Sequence, residues 1–386
     1  MDVLIISANS LSFILDYKIP LIKSAVKLYP RIKIVIAIPS NKYNSYQSES
    51  YKSFLEATKE HIVIDNLQRS ISPLSLILNI YLFLKLSYIY RKSKKIVFVS
   101  HTASINLALF FSNLLLWNNT KNLYRYFITG FGPSKIRRGF RSRILGRIYI
   151  KSMQIASTLI NNRVFTLNSQ DRDVIQDFSI KRDVIVIRES GILKENILKI
   201  NNYELEKGNL KNLKIVYIGR YLLEKGINDI SLISFYLNAA NINHNITAYG
   251  DYDESNSSSV NPTQIKSLTT ENLKFKSSKP YPKIFKDAHI VIFPSLREGH
   301  PRFLLEAMSF QCIPVVSPNP GLDVDVIHLF NGLISVTRSP SSLASSIINL
   351  VKSPSLYKEL KEGCKEYCIS LSKINIADEN IRMILN

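Results

Sequence analysis

Short apolar runs rich in β-branched residues recur along the chain at regular intervals. In the first half they are 3–8 (VLIISA), 32–38 (IKIVIAI), 61–64 (HIVI), 95–100 (KIVFVS), 124–129 (YRYFIT), 164–168 (VFTLN) and 184–187 (VIVI). Helix-length stretches separate several of them. Near-continuous apolar strands alternating with helices predict parallel sheets covered on both faces. The pattern stops at 194–213 (KENILKINNYELEKGNLKNL), which is polar and lacks a long apolar stripe. It then restarts at 214–219, 245–250, 273–277, 289–295, 313–317 and 332–336. The chain therefore reads as α/β, with two doubly wound domains in tandem. The expected divisions are a first domain over 1–190, a linker over 191–213, a second domain over 214–350 and C-terminal helices over 351–386.

Two apolar segments test for membrane or export signals. The opening MDVLIISANS has no cationic leader and a short apolar run, and reads as a first strand rather than a signal peptide. The stretch from Ile71 to Tyr90 is the most lipid-like, but Pro73, Asn79 and Lys85 interrupt it. A span needs about 20 mostly apolar residues. A buried helix, or an amphipathic helix seated on a surface, is expected instead.

Charge changes the picture. The 386 residues carry a formal net charge of +20. Residues 211–386 hold 19 basic and 16 acidic residues, which leaves 31 basic and 14 acidic in 1–210. No Asp or Glu occurs between Asp65 and Asp171, an interval with sixteen Lys or Arg. A basic face of this kind attracts polyanions: nucleic acid, anionic lipid or a pyrophosphate-bearing molecule. For any single cation, a solvated surface position explains as much. The three cysteines, Cys312, Cys364 and Cys368, fit a reducing compartment. No second Cys/His pair accompanies them, so no zinc site is expected.

Candidate chemistry concentrates after two strands of the second half. In open α/β sheets, ligands bind beyond the carboxyl ends of strands. GRYLLEKG (219–226) follows the strand at 214–219, with Gly219 at the turn and Arg220 and Lys225 five positions apart. Two cations there suit a diphosphate; ordinary surface charge, with Glu224 as a local partner, is the plainer account. FPSLREGHPRFLLEAMS (293–309) follows the strand at 289–295. Pro301 suits the first turn of a helix, and Gly299 gives freedom just before it. The helix N-terminus would offer free N–H groups to an anion. Glu298 precedes the helix, and Glu306 lies in its second turn. A carboxylate accepts from two neighbouring hydroxyls at once, which suits a ribose or hexose ring. A loop charge and a salt-bridged helix residue are the plainer alternatives for the two acids.

These segments resemble the two signature stretches of the retaining GT-B glycosyltransferases of family 4, which include bacterial polysaccharide enzymes. The Glu-x7-Glu pattern within REGHPRFLLEAM carries most of the resemblance, which covers roughly 211–350. In the first half, ITGFGP (128–133) and VFVSHTASINLALF (97–110) resemble the family more loosely. The glycine pair that often follows the family's first strand is absent.

The resemblance implies a GT-B fold, two Rossmann-like domains facing a cleft, and a donor set of Gly219, Arg220, Lys225, Glu298, Gly299, His300, Pro301, Leu305 and Glu306. Glu298, Arg220, Lys225 and His101 are the implied catalytic residues. Arg220 and Lys225 would hold the diphosphate and stabilise its leaving charge, Glu306 the ribose, Glu298 the hexose, and His101 the transferred sugar. Front-side attack, with the leaving phosphate assisting deprotonation of the acceptor, is the implied mechanism. The implied donor is a nucleotide-sugar, UDP-linked by default, and the implied acceptor a polyprenyl-pyrophosphate-linked sugar. Neither a metal nor a cofactor is expected. Acceptor and membrane contacts are expected from Gly130, Lys135, Arg137, Arg138, Arg141, Arg143 and Arg147. That places the protein in the cytoplasm, peripheral on an anionic inner membrane face.

Four rivals remain. A metal-dependent GT-A enzyme would use an Asp-x-Asp triplet, and three occur, at 171–173, 251–253 and 323–325. A nucleotide-sugar epimerase of similar build would need no acceptor. A nucleic-acid-binding protein would account for the charge, but no zinc spacing, RNP-like motif or Walker loop supports it, and no nucleic-acid partner is expected. A membrane-bound structural partner would have a degenerate donor site, whereas Arg220, Lys225, Glu298 and Glu306 are all present.

Overall fold

The structure is a computed structural model. It describes residues 2–39, 72–116, 119–131, 140–176, 184–188, 210–252, 258–279 and 281–386, with short pieces at 56, 62–64, 67–68 and 256. The chain divides into two units: Met1–Ser190 with Asn375–Asn386, and Gly191–Ile374. Most of the expected linker, 191–209, lies outside the described residues.

Unit 1 is built on a parallel sheet of β1 (Asp2–Ser7), β2 (Lys33–Ala37), β3 (Ile62–Ile64), β4 (Lys95–His101), β5 (Asn122–Ile128), β6 (Asn162–Thr166) and β7 (Val184–Val186). Its strand order is β3-β2-β1-β4-β5-β6-β7. The described helices are α1 (Leu11–Tyr17), α2 (Ile19–Leu28), α3 (Pro73–Ile89), α4 (Ala103–Leu115), α5 (Phe140–Ala156) and α6 (Ser169–Ile175). Ser10 starts α1 by accepting from the Phe13 amide, so a side-chain cap stands where the family's glycine pair was absent. Alternate residues of a strand point to opposite faces. Leu4 and Ile6 accordingly join a core with α1 and α2, while Val3 and Ile5 join a second core with α3, α4 and α5.

Unit 2 repeats the plan with β8 (Leu213–Ile218), β9 (His244–Tyr249), β10 (Leu273–Lys276), β11 (Ile290–Phe293), β12 (Ile313–Val316) and β13 (Leu333–Ile334). The order is β10-β9-β8-β11-β12-β13, and the strand pairings are parallel. Its helices are α7 (Ile227–Ala239), α8 (Pro262–Leu268), α9 (Tyr281–Phe285), α10 (Arg302–Ser309), α11 (Pro340–Lys352) and α12 (Pro354–Ser372). Ile215 and Tyr217 face a core with α7 and α11, and Val216 and Ile218 face one with α10 and α12. All thirteen apolar runs contain a strand. β11 stops at Phe293, two residues short of the run, because Pro294 has no N–H to continue a ladder.

The helices over 351–386, expected as one block, are split. α12 packs into unit 2, whereas α13 (Ile376–Leu385) returns to unit 1, where Ile381, Ile384 and Leu385 enter the core beside α2. Three cations of the basic first half hold its carboxyl end. Buried Arg125 donates from Nε to the Ile384 carbonyl at 2.8 Å, Arg163 donates to the Met383 carbonyl at 2.9 Å, and Lys95 donates to the Leu385 carbonyl. Cations there complement the helix dipole and satisfy its terminal carbonyls. Part of the charge excess therefore serves folding.

Candidate functional site

In each sheet the chain runs outward in one direction and then restarts on the other side, so each has one switch point: β1/β4 in unit 1 and β8/β11 in unit 2. These are the positions where open α/β sheets bind ligands. The catalytic and donor-set candidates fall at the end of, or after, three of these four strands, whereas Gly130 and the basic cluster follow β5.

In unit 2, β8 ends at Ile218 and leads through Gly219, Arg220 and a 3-10 turn, Leu223–Lys225, to Gly226. An added Cβ at Gly219 would lie 2.7 Å from the buried Tyr217 hydroxyl, so that ring would have to shift to admit one. Gly226 adopts φ +72°, and a Cβ there would lie 2.6 Å from the Pro294 carbonyl oxygen. The loop after β8 thus rests on the loop after β11. The Leu296 amide donating to the Glu224 carbonyl at 3.0 Å ties them further.

That contact brings Lys225 to Glu298. Their Nζ and Oε2 are 2.6 Å apart, and the side chains are only 20% and 10% exposed. Lys225 also donates to the Arg297 carbonyl at 3.3 Å, and the Ser295 hydroxyl donates to Glu298 Oε1 at 2.6 Å. Asn319, after β12, fixes the backbone. Its Oδ1 accepts from the Glu298 and Gly321 amides, each at 3.1 Å, and its Nδ2 donates to the Ser295 carbonyl at 3.0 Å. Gly321 packs so closely on the carbonyls of Glu298 and Gly299 that no Cβ fits. Burial, and next the Glu298 charge, push the Tyr217 phenol well above its usual range. It therefore stays a neutral hydroxyl, donating to the Arg220 carbonyl at 3.2 Å.

The remaining donor-set residues divide by exposure. Arg220 is exposed. Pro301 sits at the N-cap of α10 rather than in its first turn, and the helix begins at Arg302. Leu305 is buried in the core between sheet and α12, so its side chain serves packing. Glu306 is 4% exposed, with Arg302 one turn back at 3.6 Å, an ion pair rather than a hydrogen bond. His300 turns inward. Its Nε2 lies 2.6 Å from Asp325 Oδ2, while Tyr367 donates to Asp325 Oδ1 at 2.9 Å. This latch anchors the segment between Glu298 and α10. The sequence reading missed Ser295, Asn319, Arg302, Asp325 and Tyr367. Asp325 appeared there only as a member of the acidic triplet 323–325.

Two of the three acidic triplets have a member engaged within the fold. Asp171 is buried beside its capping partner Asn168, and Asp325 belongs to the latch. Asp253 lies outside the described residues. Among the described residues, no group of three or more His, Cys, Asp or Glu could hold a metal ion.

In unit 1, His101 ends β4 and is fully buried, and neither ring nitrogen has a hydrogen-bond partner among the described residues. It is enclosed by Phe13 and Phe127, with ring centroids at 5.3 and 4.6 Å. The next residue, Thr102, is β-branched yet has φ +75°, and its hydroxyl is also buried without a partner among the described residues. Strain of this kind persists only where surrounding structure holds it. Buried Lys18, at the α1–α2 junction, is a second feature the sequence reading missed. Burial, and then the Lys18 charge, hold the His101 pKa well below 6.5.

His101 is therefore neutral in the fold, whereas the unfolded chain takes up a proton below pH 6.5. Stability present above that pH is lost as pH falls towards the depressed folded value, at about 1.4 kcal/mol per pH unit. We expect His101→Phe to remove part of the acid slope in urea unfolding between neutral and mildly acid pH. An unchanged slope would show that His101 titrates in the fold as it does in the unfolded chain.

Gly130, just after β5, has φ +120° and open space where a Cβ would be. Arg143 and Arg147 are exposed on α5. Lys135, Arg137 and Arg138 lie outside the described residues, as does the side chain of Arg141.

The comparisons with known proteins agree with this geometry. Residues 203–367 match the family model described as glycosyl transferases group 1, so the second half is similar to that family. One curated relative is the N,N'-diacetylbacillosaminyl-diphospho-undecaprenol α-1,3-N-acetylgalactosaminyltransferase of Campylobacter jejuni subsp. jejuni serotype O:2. It is 25% identical over 272 residues, covering 67% of this chain and 70% of the relative. Among solved structures, Anabaena HepE in complex with UDP and glucose superposes with a TM-score of 0.69 at 15% identity, covering 99% of this chain and 98% of HepE. Sucrose-phosphate synthase from Thermosynechococcus elongatus gives 0.72 at 15% identity, with the same coverage of 99% and 98%. At these identities the structural likeness establishes the fold: two parallel sheets, each flanked by helices.

Proposed function

We propose that this chain is a retaining, metal-independent glycosyltransferase. It moves a hexose or N-acetylhexosamine from a UDP-sugar to a lipid-linked oligosaccharide in cell-surface polysaccharide assembly, working from the cytoplasmic face of the membrane. The observation that carries the reading is the Lys225–Glu298 pair, set at the unit 2 switch point and held by Ser295 and Asn319. The domain match, the HepE complex with UDP and the lipid-linked acceptor named for the Campylobacter relative support it.

Lys225 and Arg220 bind the diphosphate and stabilise the charge that grows on it as the glycosidic bond breaks. Glu298 holds Lys225 in place and accepts from a hexose hydroxyl. The neutral His101 ring, with both nitrogens unengaged by any described residue, serves a hydroxyl of the transferred sugar. The acceptor hydroxyl attacks from the side the phosphate leaves, and the departing phosphate takes its proton. No divalent ion has a role in these steps, so EDTA is expected to leave the transfer rate unchanged.

Glu306 accepts from the ribose hydroxyls. Calorimetry with UDP-, GDP- and ADP-sugars tests the donor class, with UDP-sugars expected to bind most tightly. Glu306→Ala is expected to weaken UDP binding about tenfold, the worth of one charge-assisted hydrogen bond. It should also abolish the preference for UDP over 2'-deoxy-UDP. A variant that keeps that preference removes the ribose role.

A further inference from the structure

Helix α3 carries apolar residues on its outward face as well as on the face that meets the core. Its outward positions are Leu74, Ile77, Leu78, Tyr81, Tyr88 and Ile89, with Lys85 among them. Steps of three, one, three, four, three and one residues along 74–89 make these a single helical stripe. Leu74, Tyr81 and Tyr88 are 67%, 62% and 65% exposed. The polar side chains face the protein instead. Asn79 exchanges hydrogen bonds with the Gln68 backbone at 2.7 and 3.0 Å, Ser75 meets Ser72 at 2.8 Å, and Ser87 accepts from Asn122 at 3.0 Å. The inward polar groups are satisfied, while no described residue covers the outward apolar stripe.

A second stripe lies two helices away. On α5, the exposed residues Ile144, Ile148 and Ile155 alternate with exposed Arg143, Arg147 and Lys151. α4 packs between α3 and α5, and all three helices cover the same face of the sheet. Beyond the end of α3, the Arg91 guanidinium lies 4.0 Å from the centre of the Tyr88 ring.

We propose that this face seats unit 1 on an anionic lipid monolayer. The α3 and α5 apolar side chains enter the boundary between headgroups and acyl chains, and Lys85, Arg91, Arg143, Arg147 and Lys151 bind lipid phosphates. Sequence reading placed membrane contact in the cluster from Lys135 to Arg147. The structure adds α3 as the apolar anchor.

Three observations favour lipid over protein. Tyrosines with apolar bodies and wet hydroxyls, beside long cations, suit a headgroup layer. No described helix is long and apolar enough to cross a membrane, and α3 at about 25 Å is suited to lying along one. A second copy meeting this face through a two-fold axis would press like charges together, because residues 66–170 contain no acid to compensate.

The inference deepens the membrane part of the proposed function and rests on it, but its test does not use the sugar donor. Vesicles of phosphatidylglycerol and phosphatidylethanolamine are expected to co-float with the full chain, and pure phosphatidylcholine vesicles to do so far less. Replacing Ile77, Tyr81 and Tyr88 together by Ser should lower the anionic-vesicle partition coefficient at least about tenfold. UDP binding by calorimetry should stay unchanged and thereby report an intact fold. In a Tyr81→Trp variant that also carries Trp117→Phe, so that a single indole emits, the emission should shift to the blue on anionic vesicles and be quenched by brominated acyl chains. Undiminished vesicle binding by the triple variant, or an indole emission in Tyr81→Trp that is indifferent to lipid, overturns the proposal. So does a lipid-free dimer that the triple variant dissolves, since a second copy then covers the face. A wild-type chain that binds vesicles but no nucleotide-sugar refutes the proposed function and leaves this inference standing.

Discussion

Lys225→Ala is expected to lower UDP affinity by about 10- to 150-fold or more, whereas Glu298→Gln leaves it unchanged or raises it. The asymmetry follows from the pair. A charge-assisted hydrogen bond from Lys225 to a diphosphate contributes about 1.5–3 kcal/mol, which corresponds to roughly 10- to 150-fold in affinity. Its removal does further harm, because Glu298 stays, held by Ser295 and by Asn319 through its backbone. An anion set in place with its cation gone repels the ligand that the cation attracted. In Glu298→Gln the cation is released instead, and Gln keeps a carbonyl for Ser295.

Transfer separates the two roles differently. Both single variants should lose about 100-fold or more in the chemical step, the usual worth of a group placed at developing charge or at the reacting sugar. The double variant should bind UDP better than Lys225→Ala alone, because the uncompensated acid is gone. Calorimetry with UDP and single-turnover transfer assays measure the two quantities apart. If Lys225→Ala binds UDP as tightly as wild type, the cation does not touch the diphosphate, and the assignment of this site falls.

This pair also shows how far the sequence could be read. The strands were legible because a buried parallel strand must be almost wholly apolar, and each run was bounded by polar or turn-forming residues. Lys225 and Glu298 were each visible as a charge just past a strand. Their contact was not, because 73 positions separate them and only the pairing of β8 with β11 brings them together. The reading therefore gave the two residues separate ligands, whereas the fold first gives them to each other. Asn319 was invisible for the same reason: it acts on the backbone of another loop.

Charge and hydropathy misled in a second way, since both are sums over a chain. The cation excess of the first half did not reveal that Arg125, Arg163 and Lys95 hold the end of α13 from within. Helix α3 has apolar residues on both sides, so periodicity alone could not say which side faces out. Partners such as the Gln68 backbone and the buried Asn122 decide it, because Asn79 and Ser87 need hydrogen bonds that a lipid-facing position would deny them.

Gly226→Ala is expected to damage unit 2 strongly. The position combines two costs. Its φ of +72° belongs to the left-handed region, where a side chain costs about 1–2 kcal/mol. Its Cβ would also come within 2.6 Å of the Pro294 carbonyl oxygen and 2.7 Å of Pro294 Cβ. Neither atom belongs to a flexible side-chain tip, so the two loops must part. A total loss of about 2–4 kcal/mol is expected in urea unfolding of unit 2. Gly130→Ala supplies the comparison: φ is +120° there, but nothing lies within 4 Å of the added Cβ, so it meets backbone strain without the clash. Separating the loops also moves Lys225 from Glu298, because one is carried by the loop after β8 and the other by the loop after β11. UDP affinity should therefore fall in Gly226→Ala even at temperatures where the variant is fully folded. A variant that loses stability but binds UDP normally would mean that the diphosphate site does not depend on the contact between these loops.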